Sequence, residues 1–150
     1  MKLGKEKLSF IYSRAEAVCI NVEEAQSILG ESSRDLKTLL SGIAKLGPKI
    51  AIITDGFAGA YALDSKTREV WFIGVYPHTP YERTGAGDAF FSTIVSCLAM
   101  EKTLEEALLW APINSMSVTQ YVGAQKGLLT QEKIKEYLKK APEDYISTKI

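Results

Sequence analysis

Thr84-Gly85-Ala86-Gly87-Asp88-Ala89-Phe90 stands directly ahead of an apolar stretch that runs to Met100. Two glycines around an alanine at the mouth of a long helix predict a tight turn whose backbone N–H groups lack intrahelical acceptors. The helix dipole adds positive potential at the same place, so the turn is suited to an anion. Asp88 falls in the first helical turn, and a carboxylate there has two readings. In one, Thr84 caps the helix, the glycines form a plain turn and Asp88 complements the dipole. In the other, Asp88 accepts a proton from a hydroxyl attacking a phosphoryl group that the amides hold. Two other glycine-rich sites fail on the letters. A dinucleotide fingerprint needs a third glycine where Phe90 stands and a strand immediately before, and a Walker A loop on Gly42 and Gly47 needs lysine where Pro48 stands.

Upstream of this turn lies an irregular segment, 76–83, preceded by two strands over 60–63 and 69–75 that a polar Asp64-Ser65-Lys66-Thr67 link joins into a hairpin. The run Lys49-Ile50-Ala51-Ile52-Ile53-Thr54 is β-branched and apolar on consecutive positions, the pattern of a strand buried on both faces, and Asp55-Gly56 turns the chain after it. Earlier still, Ala17-Val18-Cys19-Ile20 reads as a short strand ending at Asn21. A helix follows over 22–29, where Gly30 stops it. Ser32 or Ser33 is expected to cap an amphipathic helix through Leu36, Leu39, Leu40, Ile43 and Leu46. Leu3, Leu8, Ile11 and Tyr12 predict an opening helix within 3–15. Downstream, Thr103 caps a helix through Leu104, Ala107 and Leu108, Pro112 is expected to open its successor, and a last helix covers 131–140. Strand–helix alternation followed by a hairpin and helices predicts an α/β layering with a mostly parallel sheet.

With 150 residues the chain has the size of one domain, and 46% apolar against 24% charged residues is the balance of a globular core rather than of disorder. Eighteen basic residues offset eighteen acidic ones with no basic stripe, which gives nucleic-acid binding no support. The longest apolar run, 89–100, is too short to span a bilayer and carries Ser92, Thr93 and Ser96; no membrane association is expected. The start, Met-Lys-Leu-Gly-Lys-Glu-Lys, lacks the apolar core of a signal peptide. Cys19 and Cys97 sit in apolar stretches without metal-ligand spacing, so buried reduced thiols and a cytoplasmic location are expected. His78 reads as a surface loop residue, and Trp71 and Trp110 as packing.

The 84–90 stretch resembles the second signature of the ribokinase-like (PfkB-type) sugar kinases. That resemblance implies that the Gly85-Ala86-Gly87 amides form the anion hole for the transferred phosphoryl group and that Asp88 is the base for the sugar hydroxyl. Asn21-Val22-Glu23-Glu24-Ala25 resembles the family's Asn-x-x-Glu motif, which implies a nucleotide phosphate contact for Asn21 and organisation of magnesium-bound water for Glu24. By itself the same spacing is a capping box, and the two readings are compatible. Ile53-Thr54-Asp55-Gly56 with Gly59-Ala60 resembles the family's strand-end Thr-x-Gly, implying that Thr54 and Gly56 line the nucleotide site; its bland reading is a β-turn. Asn114-Ser115 with Gly123-Ala124-Gln125 resembles the region that covers adenine, with Asn114 either a nucleotide contact or a helix residue turned to solvent. One departure stands out. Members that bind a monovalent cation usually have aspartate six residues before the base, and here that position is Glu82, followed by Arg83, so the resemblance leaves the use of a monovalent cation open.

The resemblance implies a Rossmann-like three-layer ribokinase-type α/β fold, present as its C-terminal half: one partial domain over 1–150 with a mostly parallel sheet plus a hairpin. Nothing here resembles the N-terminal half, which carries the sugar pocket and lid. The implied activity is ATP- and Mg2+-dependent transfer of the γ-phosphoryl group to a sugar or nucleoside by a longer protein, with 1–150 inactive alone. The alternative is a non-catalytic nucleotide-binding or scaffolding fragment. An apolar strand at 18–20 left at a sheet edge is expected to drive self-association, most simply as a two-fold dimer.

Overall fold

The structure, a computed structural model, describes residues 5–150; Leu3, counted above into the opening helix, lies outside them. The chain divides into two compact units, one reaching Phe72 and taking in Lys149–Ile150, the other Ile73–Thr148.

The first unit runs α1 (Lys5–Tyr12), β1 (Ala17–Asn21), α2 (Val22–Leu29), α3 (Leu36–Ala44), β2 (Ile50–Thr54), a single 3-10 turn (Gly56–Ala58), β3 (Ala60–Asp64) and β4 (Val70–Ile73), with β5 (Thr148–Lys149) returning from the end of the chain. The sheet is open and mixed, in the order β1-β2-β3-β4-β5. β1 and β2 pair in parallel with Asn21 opposite Thr54, and β2 and β3 pair antiparallel. Consecutive apolar residues make β2 a central strand: Ile50, Ala51, Ile52 and Ile53 are all buried. Val22, Ala25, Leu39, Leu40, Ile43, Ala51 and Ile53 form the core beneath α2 and α3, with Val18, Ile20, Tyr61, Leu63 and Val70 packed against it. These are alternate positions on each strand, the period that puts side chains on one face. Each fully buried leucine or isoleucine there stabilises the unit by about 1.5–3 kcal/mol.

α2 keeps its expected bounds. Asn21 and Glu24 close a reciprocal capping box, and Gly30 ends the helix in the left-handed conformation at φ 67°. The start of α3 differs from the sequence reading. Its cap is Asp35, whose Oδ2 accepts from the Thr38 N–H at 2.9 Å, not Ser32 or Ser33. The Gln26 carboxamide donates to the carbonyls of both serines, at 2.9 and 3.2 Å, tying that stretch outside the helix.

The second unit is helical: α4 (Ala86–Ala99), α5 (Leu104–Val118) and α6 (Gln131–Lys139). Thr103 and Glu106 form the capping box of α5. Pro112 does not open a new helix. It lies buried inside α5, where a proline removes one backbone donor and crowds the preceding turn at a cost of about 3 kcal/mol. The helix continues because its packing outweighs that loss: Ala107, Leu108, Trp110, Ala111, Ile113, Met116 and Val118 are all buried. Trp110 is core, with the Lys102 ammonium 4.8 Å from its ring centroid. His78, half-buried, has Nδ1 2.6 Å from the Tyr76 carbonyl oxygen. Both cysteines are free, and burial pushes their thiols up to about 12 for Cys19 and about 11 for Cys97. No helix among the described residues is long and apolar enough to cross a membrane.

Candidate active site

In the first unit the parallel pairing of β1 with β2 sets Asn21 and Thr54 side by side at the carboxyl ends of their strands, where open α/β sheets bind ligands. The Asn21 Oδ1 accepts from the Glu24 N–H at 2.8 Å, and Glu24 Oε2 accepts from the Asn21 N–H at 2.9 Å. That box aims the first turn of α2 and leaves Asn21 Nδ2 and Glu24 Oε1 without a partner among the described residues. Thr54 leads into Asp55 and Gly56; Gly56 has φ 54°, and an added Cβ there would meet nothing within 4 Å. Arg34, which the sequence reading passed over, donates to Glu23 Oε1 and Asp55 Oδ1, both at 2.9 Å. It ties the start of α2 to the turn after β2 and holds the Glu23 carboxyl below its usual range through that hydrogen bond. No local pattern marks Arg34, because its partners lie 11 and 21 residues away.

The second unit holds the glycine turn. Gly85, not Thr84, is the N-cap of α4, in the left-handed conformation at φ 83° and ψ −3° and with no side-chain cap. The Gly85 carbonyl accepts from the Ala89 N–H at 2.9 Å, and the Ala86 N–H donates to the Arg83 carbonyl at 3.2 Å. The amides of Gly85, Gly87 and Asp88 are left without acceptors among the described residues. Asp88 is exposed, and its carboxylate has neither hydrogen bond nor ion pair there. The start of α4 therefore sets three amides without acceptors and the positive end of a helix dipole beside an exposed carboxylate without a partner among the described residues.

Residues from the α5 end hold this turn in place. A Cβ on Gly85 would lie 2.6 Å from both Cα and O of Ala124, so that backbone approach admits only glycine. Thr119 O accepts from the N–H groups of Tyr81 and Glu82, at 2.8 and 3.0 Å, and Glu82 Oε2 accepts from the Gly123 N–H at 3.2 Å. Ser115 Oγ donates to the Ala86 carbonyl at 3.0 Å. Asn114 is not turned to solvent. It is buried, with Nδ2 donating to Thr93 Oγ1 at 2.8 Å and Oδ1 accepting from the Leu129 N–H at 2.9 Å, so its carboxamide clamps α5 to α4 and to the segment before α6. Among the described residues, no group of three His, Cys, Asp or Glu side chains is arranged to hold a metal ion.

Residues 2–131 match the pfkB family of carbohydrate kinases. The chain belongs to that family. Among its PfkB relatives, the guanosine-inosine kinase of Exiguobacterium acetylicum is 33% identical over 105 residues, 66% of this chain and 31% of that protein. The ribokinase of Bacillus subtilis (strain 168) is 38% identical over 101 residues, 66% of this chain and 33% of that enzyme. An E. coli protein assigned as ribokinase II, solved in complex with ATP and Mg2+, superposes with a TM-score of 0.79 at 20% identity over 91% of this chain and 43% of its own length. This likeness establishes the ribokinase-like α/β fold. The chain spans about a third of the length of these curated relatives.

Proposed function

We propose that this chain supplies nucleotide-binding and base residues for transfer of the γ-phosphoryl group of ATP to a hydroxyl of a sugar or nucleoside. The observation that carries the reading is the start of α4, where acceptor-free amides stand beside an exposed, unpartnered Asp88 in a member of a carbohydrate-kinase family. The Gly85-Ala86-Gly87 turn serves as the anion hole, through the Gly85 and Gly87 N–H groups above all, since the Ala86 N–H is held by Arg83. These donors are already oriented, so they stabilise charge developing on the transferred group without reorganisation. Asp88 takes the proton of the attacking hydroxyl.

In the first unit, Asn21, Thr54 and Gly56 are assigned to the nucleotide, with the open space at Gly56 admitting close approach of a ligand to backbone. Magnesium fits as an ion carried mainly by the nucleotide phosphates and water, with Glu24 Oε1 the carboxylate oxygen left to reach its shell; it would neutralise phosphate charge. Asn114 is assigned to the nucleotide only through its remaining Nδ2 hydrogen. The cytoplasm suits these free thiols and this cofactor.

The 150-residue chain is expected to bind Mg–ATP weakly and to phosphorylate no sugar, because an acceptor without a pocket is not oriented for attack. Calorimetric titration with Mg–ATP, together with coupled ADP release across a panel of sugars and nucleosides, tests this. Absence of Mg–ATP binding would sink the nucleotide assignment and leave a scaffolding part. Sugar-dependent ADP release would place an acceptor pocket within these 150 residues.

β1 closes the strand order, with β2 on one side only, and Cys19 on it is half-buried. Such an edge presents unpaired N–H and C=O groups, and a net charge of zero does not oppose association. The chain is accordingly expected to self-associate through β1, most simply as a two-fold dimer. Light scattering after size exclusion, at several micromolar concentrations, decides the point, and a monomer throughout would refute it. Thiol labelling of Cys19 would not, because burial within the chain and the nearby Glu24 carboxylate push that thiol up to about 12 whether or not the edge is covered.

A further inference from the structure

We propose that Ser115 is a positioning residue for the anion-binding turn: its hydroxyl holds the Ala86–Gly87 peptide plane and thereby aims and strengthens the Gly87 N–H. The inference rests on the reading of that turn as the anion hole. A serine inside a helix ordinarily faces solvent or returns its hydroxyl to a carbonyl of its own preceding turn. Ser115 instead donates at 3.0 Å to the Ala86 carbonyl, 29 residues away at the first position of α4.

A peptide unit is rigid and planar, with the carbonyl of one residue antiparallel to the N–H of the next. Fixing Ala86 O therefore fixes Gly87 N–H, one of the three amides without an acceptor. As the first residue of α4, Ala86 presents its carbonyl to the Phe90 N–H along the helix, and Ser115 adds a second donor to the same oxygen. Glycines flank Ala86 on both sides, and a Cβ at position 87 would meet nothing within 4 Å, so beyond that helical bond no side-chain packing steadies the plane there. Ser115 is half-buried between Asn114 and Met116, both buried, and the Asn114 clamp fixes its stretch of α5. Donation into the carbonyl also polarises the peptide, making the Gly87 N–H a better donor to an anion. Ser115 touches no reacting atom in this scheme and acts only through that amide.

Ser115→Ala and Ser115→Thr, compared with Asp88→Asn in the intact protein, test the assignment by kinetics and by the 15N–1H resonance of Gly87 with and without Mg–ATP. Loss of the alanine variant's hydroxyl is expected to lower the turnover number by about five- to tenfold, the scale of one neutral hydrogen bond, with the nucleotide KM changed by less than about twofold. The melting temperature should hold, threonine should restore turnover, and the Gly87 amide proton should move upfield in the alanine variant. Unchanged turnover with an unmoved Gly87 resonance would overturn the proposal, as would a loss that follows a fall in melting temperature and that threonine does not restore. If Asp88→Asn loses turnover while Ser115→Ala does not, the active-site reading stands and the positioning part fails. If both variants keep full turnover, that reading fails and this inference falls with it. Where no acceptor turns over, the Gly87 resonance alone decides: movement supports the assignment and none refutes it.

Discussion

Asp88→Asn is expected to lower the turnover number of phosphoryl transfer by about 10²–10⁴-fold, the range for losing a positioned base. The substitution keeps the size of the side chain and leaves the backbone amides of 85–88 where they are, so Mg–ATP affinity should change little. The carboxylate is exposed and makes no hydrogen bond or ion pair among the described residues, so its loss removes no internal contact and the melting temperature should stay level. Steady-state kinetics on a catalytically complete protein containing this chain, beside calorimetric titration with Mg–ATP, separates the two quantities. Near-normal turnover would reduce Asp88 to a residue that complements the helix dipole, the bland reading of the same position.

Gly85→Ala carries the second large effect, and it falls on structure and chemistry together. Gly85 sits at φ 83°, where a Cβ is strained, and that Cβ would lie 2.6 Å from the Cα and O of Ala124. Backbone cannot give way as a flexible side chain can, so either the turn or the 123–124 segment must move. We expect a loss of roughly 2 kcal/mol or more, from the strained conformation plus the clash. For a chain of this size that is a fall in melting temperature of about 4–8 °C. Turnover should fall by at least about 10²-fold, the scale of losing an aligned oxyanion donor. Gly87→Ala is the internal control, because a Cβ at position 87 meets nothing within 4 Å and needs no positive φ. Its stability should match that of the parent chain or slightly exceed it. Equal melting temperatures for both variants would show that the approach of Ala124 does not hold this turn.

Local hydrogen bonds and hydrophobic period made much of the framework legible from the letters. The Asn21/Glu24 box closes within three residues, so spacing alone reveals it, and Thr103 was readable as the cap of α5. The run 50–53 announced a strand buried on both faces, and Gly30 announced the end of α2. The glycine turn ahead of α4 and the carboxylate in its first turn were also readable, because a helix start is built from consecutive residues. The letters erred where two local rules competed or where burial overruled one. Ser32 and Ser33 read as caps of α3, but Asp35 holds that place, while Gln26 and Glu31 bind the backbone of both serines outside the helix. Pro112 obeyed no helix-breaking rule because α5 is packed along its length.

The sequence by itself determined which residues start and stop most elements, and where the glycine turn and its carboxylate stand. Tertiary structure decided how that stretch is held. Gly85, not Thr84, caps α4 with its backbone against Ala124, and the Asn114 amide is directed inward to Thr93 and Leu129. Arg34, Glu82 and Ser115 gained their parts from partners 11 to 41 residues away. Capping and periodicity depend on neighbours within one or two turns of chain, and these can be read in order. A close approach or a cross-helix hydrogen bond depends on which distant backbone arrives opposite, and only the folded chain brings it there.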